Sequence, residues 1–107
     1  MAVDRVKGHL DGLILAVLET DPLHGYAVIE AIQRRSGGSL DLPTGTVYPA
    51  LRRLEDAGRV RGSWSTVNGR KRRTYTLTAA GRRALAKERS EWRQFSGSIA
   101  GVLGGAS

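Results

Sequence analysis

The dipeptide Asn68-Gly69 separates two runs, Val60-Arg61-Gly62-Ser63-Trp64-Ser65-Thr66-Val67 and Arg70-Lys71-Arg72-Arg73-Thr74-Tyr75-Thr76-Leu77. It constrains the fold more than any other pair in the chain. A two-residue type I′ turn needs positive φ at both central positions, and Asn-Gly is the pair that tolerates this best. Pairing Val67 with Arg70 then fixes the register of a hairpin. Val60 falls opposite Leu77, Gly62 opposite Tyr75 and Trp64 opposite Arg73 on one face. Arg61 with Thr76, Ser63 with Thr74 and Ser65 with Arg72 occupy the other. The first face is apolar toward its base and the second polar throughout, as expected of a hairpin lying on a small helical core.

Upstream of the hairpin, Thr44 to Gly58 reads as a short helix with two dissimilar faces. Val47, Leu51 and Leu54 recur at i, i+4 and i+7 and form one buried stripe. Thr46, Pro49, Arg52 and Arg53 lie outside it. Proline is tolerated in the first turn of a helix, where its missing N–H costs nothing, so Thr46 is expected as the N-cap and Gly58 as the stop. Hydroxyls at one end and arginines in the middle suit a DNA major groove, since a helix N-terminus favours phosphate and arginine can bond guanine through two N–H groups. A solvated basic face on an ordinary amphipathic helix is the plainer alternative.

The distribution of charge bears on that choice. The 107 residues carry a net charge of +7. Residues 1–51 hold 4 Lys+Arg against 6 Asp+Glu, and residues 52–107 hold 13 against 4, so the basic surface lies downstream of Leu51. An anionic partner follows, either nucleic acid or an acidic membrane surface. The hairpin tip alone carries Arg70, Lys71, Arg72 and Arg73 in succession, on a backbone that cannot bury them. Helix plus basic wing makes a winged helix-turn-helix, in which the helix reads the major groove and the wing reaches phosphates or the neighbouring minor groove.

Two further helices complete the motif. Apolar residues at 10, 13, 14, 17 and 18 give a first helix, ended by Asp21-Pro22; a second runs from about Gly25 to Arg35, burying Tyr26 or Val28, Ile29 and Ile32, and stops at Ser36-Gly37-Gly38. His24, at the mouth of the second helix, is expected to cap or pack there rather than to bind a metal. The chain has no cysteine, and its two histidines, His9 and His24, stand far apart in sequence. Neither disulfides nor a metal or other cofactor is therefore expected, which fits a reducing cytoplasm. No apolar run approaches membrane-spanning length, and Met1-Ala2-Val3-Asp4 lacks the layout of a signal peptide, so the chain is expected to be used as it stands.

From about Ala79 to Leu103 a long helix is expected. Leu85, Glu88, Trp92, Phe95, Ile99 and Val102 alternate at spacings of three and four, the pattern of a helix packed lengthwise against another. This stripe outruns what a small winged core can cover, and a partner helix from a second chain is the economical explanation. Gly97, Gly101, Gly104 and Gly105 weaken the far end at roughly 1 kcal/mol per interior glycine, and fraying is expected there. The fold is accordingly mainly α with a small β-hairpin: a winged helix-turn-helix domain at residues 1–78 and a C-terminal dimerisation helix at 79–107.

Several stretches resemble the PadR family of transcriptional regulators. The opening Leu10-Asp11-Gly12-Leu13-Ile14-Leu15-Ala16-Val17-Leu18 with Pro22-Leu23-His24-Gly25-Tyr26 is similar to the family's, as is Gly45-Thr46-Val47-Tyr48-Pro49-Ala50-Leu51-Arg52-Arg53-Leu54-Glu55 with Gly58. So is Arg70-Lys71-Arg72 leading to Thr74-Tyr75-Thr76-Leu77-Thr78 and Gly81. Together these span about residues 8–81. The resemblance implies a dimeric repressor or activator on an inverted-repeat operator, often near its own gene. Its DNA contacts would fall on Thr46, Tyr48, Pro49, Arg52 and the adjacent Arg53, and in the wing on Asn68, Gly69, Arg70, Lys71 and Arg72. A single C-terminal helix looks like the smaller subfamily, in some members of which an aromatic faces its dimer mate across a cavity for planar drugs or phenolic compounds. Trp92 occupies a compatible place, with Phe95 and Ile99 along the same stripe. A dimer-core role is the plainer account of Trp92, since a large aromatic buries much area without any ligand.

A winged-helix adaptor that binds an acidic protein rather than DNA is the competing reading. An enzyme is not supported, because no nucleophile with a nearby base, no metal set and no phosphate-cradling loop can be assembled.

Overall fold

The computed structural model describes residues 6–104. The N-terminal Met1-Ala2-Val3-Asp4 and the tail glycine Gly105 lie outside the described residues. The elements are α1 (Leu10–Leu18), β1 (Leu23–His24), α2 (Gly25–Arg35), α3 (Thr44–Asp56), β2 (Val60–Val67), β3 (Arg70–Leu77) and α4 (Ala79–Leu103). The core is built from the apolar faces of all four helices and the base of the hairpin: Ile14, Leu15 and Leu18 meet Val28, Ile29 and Ile32, then Val47, Leu51 and Leu54, then Val60, Leu77 and Leu85. Leu42, between α2 and α3, plugs it from the side.

The hairpin has the expected register along its whole length, from Val60 opposite Leu77 to Val67 opposite Arg70. Asn68 (φ 53°) and Gly69 (φ 78°) both take positive φ, as a type I′ turn demands. The hairpin is, however, part of a three-stranded antiparallel sheet in the order β1-β3-β2. Leu23 pairs with Tyr75 and His24 with Thr74. A two-residue strand has no period of its own; it exists because the edge of β3 offers unpaired backbone groups to the segment arriving after Pro22.

His24 caps α2 as expected, its Nδ1 accepting the Ala27 N–H at 3.4 Å. At α3 the structure departs from the sequence expectation. The N-cap is Pro43, in extended geometry, whose carbonyl accepts from the N–H groups of Thr46 and Val47 at 3.0 and 3.1 Å. Thr46 is thus the third residue of the helix, not its cap. Pro49 lies inside the helix rather than in its first turn, and the Gly45 carbonyl loses the N–H that residue 49 would otherwise supply. The stop is as expected, Gly58 sitting at φ 75° just past the helix end.

Thr78 joins the end of α3 to the start of α4. Its hydroxyl donates to the Gly58 carbonyl at 2.7 Å and accepts the Gly81 N–H at 3.0 Å, capping α4. Leu85 is buried, whereas Trp92, Phe95, Ile99, Val102 and Leu103 are exposed large apolar residues. The helix α4 runs through Gly97 and Gly101 to Leu103, with Gly104 in left-handed geometry as its C-cap. An interior glycine weakens a helix without removing a hydrogen bond, so the ladder on either side carries through.

Candidate nucleic-acid interface

Burying Val47, Ala50, Leu51 and Leu54 turns the remaining faces of α3 outward. Thr44, Gly45, Tyr48, Pro49, Arg52 and Arg53 are exposed and Thr46 is half-buried. Tyr48, Pro49, Arg52, Arg53 and Asp56 line one shallow depression. Tyr48 is held by its neighbour helix, its ring lying over Gly25, where an added Cβ would come within 2.9 Å of Cε1. Arg53 is not free: it donates to Asp11 of α1 at 2.6 Å.

The wing tip, Asn68 to Lys71, is exposed throughout, and Arg72 is half-buried on the β3 face opposite Ser65. Ser65 and Thr74 share a hydroxyl hydrogen bond at 2.9 Å beneath it, and the Arg72 Nε is screened from solvent without a partner among the described residues. Arg73 behaves differently from the three cations before it. Its guanidinium forms an ion pair with Glu55 on α3, the residue one turn beyond Arg52 on the same outer face. Arg73 thus ties β3 to the outer face of α3, while Arg72, the next residue on the strand, points to the other face of the hairpin. Burial pushes the Tyr75 phenol at the base of β3 above its ordinary pKa, with the Glu55 carboxylate adding to the effect.

The protein-family model described as the transcriptional regulator PadR-like family matches residues 14–87. The chain belongs to the PadR-like family of transcriptional regulators. A transcriptional regulator of Mycobacterium tuberculosis is 43% identical over 85 residues, covering 79% of this chain and 74% of that protein. Among solved structures, a PadR family transcription regulator from Clostridium difficile superposes with a TM-score of 0.74 at 30% identity, covering 91% of this chain and 99% of the other. One from Eggerthella lenta does so with a TM-score of 0.83 at 26% identity, covering 96% and 88%. As a PadR-like protein the chain is a DNA-binding winged helix.

This PadR-like chain has a second feature on the far side of α1. An open groove of about 540 Å³ runs between α1 and α4, lined by Leu13, Ala16, Leu85, Glu88, Trp92 and Phe95 among others. Trp92 is 52% and Phe95 53% exposed. His9, which sequence reasoning treated only as a histidine without a metal partner, meets Trp92 edge-on with ring centroids 5.3 Å apart; Phe95 stands 6.2 Å from Trp92. The signal was present in the spacing: His9, Leu13 and Ala16 recur at i, i+4 and i+7, which extends the face of α1 toward α4. Ile99 lies farther along α4 and does not line this groove.

Proposed function

We propose that the protein is a sequence-specific repressor that binds an inverted-repeat operator as a homodimer paired through α4. Thr46, Tyr48, Pro49, Arg52 and Arg53 would enter the major groove, and Asn68, Gly69, Arg70, Lys71 and Arg72 would follow the backbone beside it. What carries the reading is the outward, hydroxyl- and arginine-bearing face of α3 lying next to a basic wing. Two such faces must stand about 34 Å apart to engage successive major grooves, a spacing that only a second copy can supply. The exposed stripe of Trp92, Phe95, Ile99, Val102 and Leu103 supports pairing along α4, since a monomer rarely leaves so many large apolar groups in water. A planar aromatic effector held near Trp92 and Phe95 would act by binding one spacing of the two α3 helices better than another. The protein would work in the cytoplasm, where its DNA is; among the described residues no helix is long and apolar enough to cross a membrane.

The test is retardation of the duplex upstream of the gene against random duplex of equal length. Preference for the former, with affinity falling steeply as salt rises, is expected. Equal affinity for both removes the specific regulator. No retardation of either at low salt leaves the protein-binding adaptor.

A further inference from the structure

Four consecutive cations at the wing tip invite treatment as one group, but Arg73 has a separate role in the structure. We propose that Arg73 is a positioning residue for sequence recognition: it latches the wing to α3 and so fixes where the wing lies when α3 is in its groove. This rests on the DNA-reading role argued above.

Three contacts converge on its guanidinium. One fork nitrogen is paired with Glu55 on α3. The plane lies against Gly62 on the neighbouring strand, where an added Cβ would stand 2.8 Å from Nε and 2.9 Å from Cζ. Beyond it, Cζ is 5.4 Å from the centroid of Trp64, within cation–π range. Trp64 is 67% exposed, so burial in the core does not account for a tryptophan there. Its ring closes the latch from the outside while Glu55 holds it from within, and Gly62 is the clearance that lets a flat group lie between.

The Arg73 and Glu55 side chains are only about one-third exposed, 33% and 29%, so the pair is better shielded from salt than an open surface pair. Lysine could keep the charge, but its compact ammonium cannot lie flat over Gly62 and stack on Trp64 at once. Because Glu55 is one turn from Arg52, a change in this contact alters the offset between the residue facing base edges and the wing cations facing phosphate. Misplacing either set lowers affinity for the preferred sequence much more than for random duplex, which needs only charge.

The experiment compares the full-length protein with Arg73→Lys, Glu55→Gln and Arg72→Ala, using anisotropy on a duplex selected from random sequence by the wild type and on an unselected duplex. Arg73→Lys and Glu55→Gln should each lower the selected-to-unselected affinity ratio about tenfold. Binding to the unselected duplex should change less than about twofold for Arg73→Lys, since the charge remains. Arg72→Ala should weaken both duplexes and leave the ratio near that of the wild type. Glu55→Gln is decisive because it removes a negative charge beside DNA: simple electrostatics would raise its affinity for both duplexes, and that result, or an unchanged ratio in Arg73→Lys, overturns the proposal. Without DNA, acrylamide quenching of Trp64 in a Trp92→Phe background should increase in Arg73→Lys and Glu55→Gln as the ring loses its cover. Unchanged quenching overturns the latch as well. Should the wild type enrich no sequence at all, the DNA-reading role fails, and the quenching result still decides whether the latch exists.

Discussion

Arg53 on the outer face of α3 donates to the Asp11 carboxylate of α1 at 2.6 Å, so one of the cations expected to meet DNA is already engaged within the molecule. The Arg53 side chain is 60% exposed, and a pair this open contributes at most about 1 kcal/mol to stability. A phosphate can therefore compete for the guanidinium. Asp11→Asn should strengthen DNA binding about two- to threefold while changing the unfolding midpoint little. Arg53→Ala should cost more affinity in the Asp11→Asn background than in the wild type. Anisotropy titrations at low salt check both, and no coupling between the two substitutions would show that Arg53 does not reach DNA.

Recognition within the interface should divide between helix and wing. Arg52→Ala, on α3, should relax base preference at one position of the half-site, at a cost of about 1–3 kcal/mol against the preferred sequence. Arg72→Ala, on the wing, should weaken all sequences alike and reduce the slope of log affinity against log salt by about 1. Binding-site selection paired with a salt series separates the two. Identical profiles for both variants would mean that α3 contributes charge but no readout.

Gly81 allows the first turn of α4 to pass against the segment between α3 and β2. A Cβ there would stand 2.0 Å from the Arg59 carbonyl oxygen and 2.7 Å from Leu77 Cδ1. Backbone cannot yield as a flexible side chain would, so Gly81→Ala should destabilise the fold by about 1–3 kcal/mol. Gly97→Ala offers the contrast, since an added Cβ there meets open space. It should stabilise α4 by up to about 1 kcal/mol. Urea denaturation of both variants tests the pair, and equal midpoints would contradict the close approach.

How far such features can be foreseen depends on how local their causes are. The β2–β3 register follows from Asn68-Gly69 alone, because a two-residue turn with positive φ at both centres leaves no other pairing. The limits of α1, α2 and α4 follow from apolar periodicity and from glycine or proline stops near at hand. Most of the missed features need a distant group. Leu23 and His24 form a strand only because β3 is there to pair with them, and Asp11 finds Arg53 across 42 residues of chain. The Arg73–Glu55 pair is likewise a product of packing: the hairpin register puts Arg73 on the core-facing side of β3, but nothing local names Glu55 as its partner. At Pro49 a sound rule was applied to the wrong helix start, since the Pro43 carbonyl opens α3 before Thr46 can cap it.

The apolar stripe of α4 predicts an oligomeric state that depends on side chains remote from the winged core. Ile99 lies far from α3 in sequence and does not line the groove that reaches α1. Ile99→Asp places a charge in any helix–helix seam at that position, and dimers joined there should dissociate. Sedimentation should shift from dimer to monomer while far-ultraviolet dichroism retains its helical signal. Operator affinity should fall by at least about tenfold, because the two half-sites are no longer engaged together. A dimer that survives Ile99→Asp must use another surface.

The clasp between α1 and α4 supplies a pH dependence whose sign can be worked out. Arg89 donates to both carboxylate oxygens of Glu19, at 2.9 and 3.1 Å, and this hydrogen bonding holds the carboxyl below its usual value of 4.5. A carboxyl with a depressed folded-state pKa stabilises the fold above its unfolded value, and that contribution disappears as pH falls through the lower folded value. The stability difference between wild type and Glu19→Gln should therefore favour wild type at neutral pH and shrink as the solution is acidified below 4.5. The pair is largely open to solvent, its side chains 47% and 38% exposed, so the difference should be small and should shrink further when salt is added. Thermal melts of both proteins across that range, at low and high salt, provide the measurement. A difference that grows on acidification would show that Glu19 is stabilised by something other than its charge.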